Sequence, residues 1–241
     1  MPDQRVFIVN KAQISIYQRF GKRLFDLLVT APGFVLVLPL VVLTWLCSLV
    51  FLGQPVLFKQ RRAGYKGRPF ILYKFRSMVE ARGECGEPLP DVERLTTYGR
   101  LLRSTSVDEL PGLWNVLQGD MSLIGPRPLP VEYCACYTDE QAQRLDAVPG
   151  LAGYAALFGR NAQSWESIFQ HDVWYVQHVS FGLDLRTICG LVGVVLRREG
   201  IDRGSHDCGS PFAERLRAGV MHEMGEMRMP RVQDGDRISG S

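Results

Sequence analysis

The apolar positions fall into one long uncharged block followed by short patterned segments. Across residues 27–58 there is no Asp, Glu, Lys, Arg or His over 32 positions. As one helix at ~1.5 Å per residue this block would reach ~48 Å, against a hydrocarbon core of ~30 Å. Beyond it, residues 56–58 and 70–75 predict two short strands joined by the glycine-containing turn 63–68. Ile71, Tyr73 and Phe75 share one face of the second strand, and Phe70, Leu72 and Lys74 the other. Residues 91–103 predict an amphipathic helix through Val92, Leu95, Tyr98 and Leu102, and a second stripe runs through Val107, Leu110, Leu113, Trp114 and Leu117. Residues 119–130 are loop by their Gly and Pro content, 139–147 a short polar helix, and 164–175 a helix. Residues 183–196 form a second apolar stretch. Because it contains Asp184 and Arg186 it reads as an amphipathic surface helix. The Met-rich stretch 211–229 reads as a helix, and the last dozen residues as disordered.

Composition adds a contrast. Hydrophobic residues make up 46% and charged residues 22% of the 241, the balance of an ordinary globular protein. That average excludes a disordered, collagenous or polytopic membrane chain and conceals the uncharged block. The block is too long and begins too late for a cleaved signal peptide. Basic residues flank it on both sides, Arg19, Lys22 and Arg23 before and Lys59, Arg61 and Arg62 after. The positive-inside rule places both flanks in the cytoplasm. A break at Pro39 divides the block into arms of twelve and nineteen residues, the first too short to cross. A re-entrant helix that dips into one leaflet and returns satisfies lengths, prolines and charges together; a single straight span is the alternative.

Net charge is +3, which says little, but no acid occurs across residues 27–79 while seven basic residues follow the block. Such a cluster suits anionic lipid head groups or phosphate ligands, and no motif argues for nucleic acid. The six cysteines have no zinc-like spacing and read as reduced thiols, and the four histidines lack ligand spacing.

Candidate chemistry gathers at three places. Asp108 and Glu109 are adjacent carboxylates able to hold a divalent metal and act on a phosphate; equally, Ser106 with Glu109 reads as a helix capping box. Gly125-Pro126-Arg127-Pro128 holds one arginine on a stiff loop, suited to phosphate or simply a rigid surface turn. In Lys74-Phe75-Arg76 the lysine stem packs along apolar surface, with its head toward water or a phosphate. Arg103 and Arg160 are further phosphate candidates.

The order of motifs is more specific than any one of them. Lys22-Arg23-Leu24-Phe25-Asp26 precedes the block. Gln60-Arg61, Tyr73-Lys74-Phe75-Arg76-Ser77-Met78, Asp108-Glu109-Leu110-Pro111, Leu113-Trp114-Asn115-Val116-Leu117 and Gly119-Asp120-Met121-Ser122-Leu123-Ile124-Gly125-Pro126-Arg127-Pro128 come next. Gly159-Arg160-Asn161 and Asp172-Val173-Trp174-Tyr175-Val176 close the series. Over residues 20–198 the chain resembles the bacterial sugar transferases, monotopic polyprenol-phosphate phosphoglycosyl transferases, in their minimal PglC-like form.

The resemblance implies an enzyme that moves sugar-1-phosphate from a UDP-sugar to polyprenol (undecaprenyl) phosphate, releasing UMP, as the first membrane step of a bacterial glycan. By position Asp108 would be the nucleophile, forming a phosphoglycosyl-aspartate, and Glu109, with Asp108, would hold Mg²⁺. Lys74, Arg76, Arg103, Arg127 and Arg160 would bind the diphosphate and the lipid phosphate, and Pro39 would mark the hairpin break. A helix N-terminus would keep Asp108 ionised. The rival is a catalytically weak homologue serving as a membrane anchor in glycan synthesis.

The fold expected is α+β and mostly helical. An interfacial segment (1–21) and a re-entrant hairpin (22–58) precede a cytosolic catalytic domain (59–198) with a short β-hairpin and amphipathic interfacial helices, and a polar tail (199–241) follows. The expected setting is the cytoplasmic face of the inner membrane among anionic lipids. Self-association as a homodimer, or contact with downstream glycosyltransferases, completes the expected partners. Three departures from the family pattern stand out: Leu38 for a serine before the membrane proline, Val148 for a basic residue, and the apolar run Ala152-Gly153-Tyr154-Ala155-Ala156-Leu157. The last two bear on the nucleotide or sugar pocket.

Overall fold

The computed structural model describes residues 16–83, 89–159, 163–196 and Phe212. It is mostly helical with a small β part of two two-stranded sheets. After a π-helical turn at Tyr17–Gly21, α1 runs Lys22–Leu52. It contains Pro32 and Pro39 and is one unbroken helix. The break expected at Pro39 is thus not a loss of helix. Proline deletes one backbone donor and crowds the carbonyl four residues back, which bends a helix without having to end it.

The faces of α1 invert the usual pattern. Its buried residues are polar (Lys22, Asp26, Thr30, Thr44 and Ser48), whereas Val35, Leu36, Val42, Leu43 and Val50 are exposed. Only 11% of its most apolar window is buried, so it is not the core helix of a soluble domain. By length and composition it is able to cross a membrane. Both ends are tied to the rest of the chain. At the start, Arg23 donates to the Val116 carbonyl at 2.5 Å and the Leu117 carbonyl at 2.7 Å, and Asp26 accepts from Ser122 Oγ and Leu123 N, each at 3.0 Å. At the end, Tyr98 donates to the Thr44 carbonyl at 3.2 Å, and Arg76 binds the carbonyls of Leu52 and Gly53.

β1 (Leu57–Ala63) and β2 (Pro69–Phe75) form an antiparallel hairpin pairing Leu57 with Phe75 and Ala63 with Pro69. The expected helix 91–103 is two, α2 (Asp91–Arg94) and α3 (Thr97–Thr105). Thr96 divides them: its backbone is extended and its side chain accepts from Gly99 N at 3.0 Å, restarting the helix. Gly99 lies against Ser77, whose carbonyl oxygen would be 1.8 Å from an added Cβ. α4 covers Gly112–Gln118. The loop expected over 119–130 contains a strand, β3 (Ser122–Ile124), which pairs in parallel with β4 (Gly150–Ala152). The polar helix expected over 139–147 is α5 (Asp139–Ala142) continued as a 3₁₀ turn, Gln143–Asp146. α6 (Trp165–His178) and α7 (Phe181–Leu196) complete the order.

Two apolar clusters position the functional region. Leu72, Val116 and Met121 join β2 to α4, and Ile124, Tyr175 and Val179 join β3 to α6 and to the Val179 that follows it. Asn115, fully buried, donates to the Ile71 carbonyl at 2.7 Å and accepts from Tyr73 N at 3.2 Å. Its amide thereby acts as one further rung on the edge of β2 and sets α4 relative to Lys74. The readings for 211–229, Phe212 apart, and for the last dozen residues lie outside the described residues.

Candidate active site

The capping box expected at Ser106 does not form. Ser106 has φ +58°, in the left-handed region, and caps nothing with its side chain. The chain reverses there and enters a 3₁₀ turn, Val107–Glu109, so both acids precede α4 instead of opening it. The turn faces Lys74 on β2 and the 125–128 loop. Glu109 Oε1 accepts from Lys74 Nζ at 2.7 Å and from Arg127 Nη2 at 2.6 Å. These three side chains, with Arg62, Tyr73 and Pro128, line a cleft that Gly150 and Leu151 close.

The two carboxylates differ in state. Burial opposes ionisation of Glu109, but the charges of Arg127 and Lys74 outweigh it and hold its pKa at about 2. Asp108 is buried, and burial together with the Glu109 charge pushes its pKa above the ordinary carboxylate value, against Lys74, Arg103 and Arg127. A helix N-terminus therefore does not keep Asp108 ionised; the surrounding cations do that part. Among the described residues no donor is hydrogen-bonded to its carboxylate. Lys74 is lowered from its usual pKa by burial and by Arg127, with Glu109 acting the other way.

The other sequence-derived candidates are placed as follows. Arg103 donates from Nε to Ser77 Oγ at 2.7 Å and acts electrostatically on Asp108. Arg76 sits away from the cleft, on the last carbonyls of α1. Arg160 lies outside the described residues. Of the departures from the family pattern, neither Val148 nor the run 152–157 lines the cleft, which meets only Gly150 and Leu151 between them, and Ala152 and Tyr154 pack on the Ile124–Tyr175 cluster.

Arg62 was not singled out in the sequence. It lines the cleft, donates to the Pro128 carbonyl at 3.0 Å and to Gln60 Oε1 at 2.6 Å, and has a buried Nε without a partner. The only signal for it was membership of the basic cluster. With Lys74 and Arg127 it makes three cations about the Glu109 carboxylate, a surplus suited to an anionic ligand.

Among the described residues no group of three or more His, Cys, Asp or Glu stands ready to hold a metal. Mg²⁺, the ion the resemblance implies, commonly takes one or two carboxylates and completes its shell with water and substrate phosphate. Asp108 and the Glu109 oxygen not used by Lys74 and Arg127 are the protein oxygens available for it.

Comparison with known proteins decides the family. The model of the bacterial sugar transferases matches residues 17–198. The chain belongs to that family. It is 51% identical over 187 residues to the uncharacterized sugar transferase EpsL of Bacillus subtilis, covering 77% of this chain and 92% of that protein. It is 37% identical to the UDP-glucose:undecaprenyl-phosphate glucose-1-phosphate transferase of Caulobacter vibrioides, over 73% of this chain and 69% of the relative. It is 35% identical to the undecaprenyl-phosphate galactose phosphotransferase of Salmonella typhimurium over 76% of this chain, but spans only 42% of that protein.

Proposed function

We propose that this sugar transferase moves sugar-1-phosphate from a UDP-sugar to polyprenol phosphate and releases UMP. The observation that carries the proposal is a buried carboxylate, Asp108, next in the chain to Glu109, which lines a cleft with Lys74, Arg62 and Arg127. The names of the Caulobacter and Salmonella relatives support the same chemistry.

An Asp108 oxygen attacks the phosphorus that bears the sugar. The phosphorus–oxygen bond to the nucleotide breaks, and UMP leaves with the bonding electrons. A polyprenol phosphate oxygen then attacks the same phosphorus, the bond to Asp108 breaks, and the carboxylate is regenerated. Burial raises the basicity of Asp108, and the neighbouring cations keep the anion accessible. Lys74 and Arg127, aimed through Glu109, hold the phosphate oxygens, and no side-chain proton is needed at the leaving phosphate. Mg²⁺ held by Asp108 and Glu109 would supply charge neutralisation at the diphosphate.

The acceptor fixes the setting. A re-entrant α1 in the cytoplasmic leaflet, turning near Pro39, would bring the cleft to head-group level. The apolar outer face of α1 and the attachment of both its ends to one domain support it.

The test is UMP release by membranes carrying the protein, with a panel of UDP-sugars, polyprenol phosphate and Mg²⁺. The expected result is release with one or a few sugars, abolished by Asp108→Asn. No release with any UDP-sugar would leave the chain a membrane-anchored homologue without this activity. Wild-type release by a well-folded Asp108→Asn would remove the covalent route.

A further inference from the structure

Arg127 carries the cleft's exposed cation, yet its backbone is held from two sides by other arginines. Arg62 on β1 donates from Nη1 to the Pro128 carbonyl at 3.0 Å. Arg144, between α5 and β4, donates from Nη2 to the Arg127 carbonyl itself at 2.8 Å. Two successive carbonyls of the loop are thus gripped by two guanidiniums from opposite parts of the fold.

The Arg144 grip is costly to build. Its side chain is 2% exposed and pairs with Asp172 on α6, also 2% exposed, at 2.6 Å from Nη2 and 3.1 Å from Nε. Nη1 reaches Tyr137 Oη at 3.2 Å, and the guanidinium lies over the Tyr137 and Phe169 rings at 5.7 and 5.5 Å. A buried pair of this kind is often no more stable than packed apolar residues of equal volume, so stability alone does not account for it. It does something an apolar pair would not: it presents one remaining N–H to a chosen carbonyl, that of the residue whose side chain binds Glu109. Gly150 N on the Pro126 carbonyl at 2.9 Å fixes the loop one residue earlier.

We infer that Arg144, locked by Asp172, and Arg62 are positioning residues that aim Arg127 at the phosphate site. The inference rests on the function proposed above for Arg127. A cation held to within a fraction of an ångström is worth far more to a transition state than a mobile one, because its reorganisation is complete before reaction.

Arg144→Lys separates aiming from support. A lysine keeps a charge for Asp172 but lacks the fork that reaches the Arg127 carbonyl at the same time. The pair Arg144→Met with Asp172→Leu removes both charges and keeps the volume. For each, kcat, KM and Tm are measured alone and combined with Arg127→Lys, with wild type and Asp108→Asn in the same assay. The expected result is a near-wild-type Tm and a kcat lowered by about tenfold or more, as for a misplaced group. Arg127→Lys should then cost about tenfold in the wild-type background and less than about threefold in either variant, the mark of coupled residues. Multiplicative losses, or activity falling only in step with Tm, overturn the inference. Deuterium uptake over residues 121–130 gives a readout that does not need turnover: it should quicken in Arg144→Lys, and unchanged uptake also overturns it. An inactive wild type would strike the proposed reaction instead, with the uptake result still deciding the clamp.

Discussion

Asp108 and Glu109 are neighbours in the chain and opposites in electrostatic state, and that contrast makes the pH dependence informative. Glu109, held at about 2 by Arg127 and Lys74, is ionised at any working pH. Asp108, raised by burial and by the Glu109 charge, is the carboxylate left to titrate on the acid side. In the proposed reaction its reactive form is the deprotonated one, so kcat/KM should rise with pH through the Asp108 pKa and then flatten. The midpoint should lie above the ~3.9 of an ordinary aspartate. Glu109→Gln removes a charge that raises it, so in the residual activity of that variant the acid limb should move to lower pH. A limb that stays in place or moves up would mean that Asp108 is not the titrating group. The adjacency of the two acids was legible in the sequence, and so were Lys74 and Arg127. Their inequality was not, because it comes from the left-handed turn at Ser106 and from cations 35 and 18 residues away.

The elements that sequence periodicity found are those whose pattern is local: the β1–β2 hairpin, α3, α6 and α7. It missed β3 and β4, three residues each, which exist only because residues 122–124 and 150–152 meet across the fold. Gly150 is part of that meeting, since the Gly125 N would be 2.1 Å from a Cβ there. It also misread α7. Asp184 looked like the polar side of a surface helix, but it is fully buried and accepts from Lys22 Nζ and Tyr17 Oη, both at 2.7 Å, and from Tyr175 Oη at 2.6 Å. No local pattern reports a partner 162 residues away. This cluster fastens the start of α1 to α6 and α7, so Asp184→Ala should be severe. Leaving Lys22 buried without its counter-ion typically costs about 3–5 kcal/mol. Tyr98→Phe, which loses the bond to the Thr44 carbonyl and the Ser48 contact at the other end of α1, should cost about 1–2 kcal/mol. Thermal unfolding in detergent checks the order; equal losses would mean that α1 is not held mainly at its start.

At the scale of the whole molecule, the decisive relation is between α1 and the domain that carries the cleft. Lys22, Arg23 and Asp26 bind α7, α4 and β3, whereas Thr44, Ser48 and Leu52 are bound by Tyr98 of α3 and by Arg76 just after β2. These partners belong to one packed unit, since Asn115 ties α4 to β2 and Gly99 seats α3 on Ser77. A straight transmembrane helix would carry Lys22 and Leu52 to opposite sides of a ~30 Å hydrocarbon core, and one domain cannot hold both without entering the lipid. With the apolar side chains of α1 turned outward, these attachments support the proposed re-entrant arrangement, in which the helix would enter and leave by the same leaflet and its prolines would weaken the hydrogen-bond ladder. The exposed Arg19 and Lys66 flank α1 and serve as reporters. With the six native cysteines replaced, Arg19→Cys and Lys66→Cys should both resist an impermeant thiol reagent in intact spheroplasts, and both react once the membrane is opened. Labelling of one site alone from outside would establish a span and would place the cleft at the end of a transmembrane anchor.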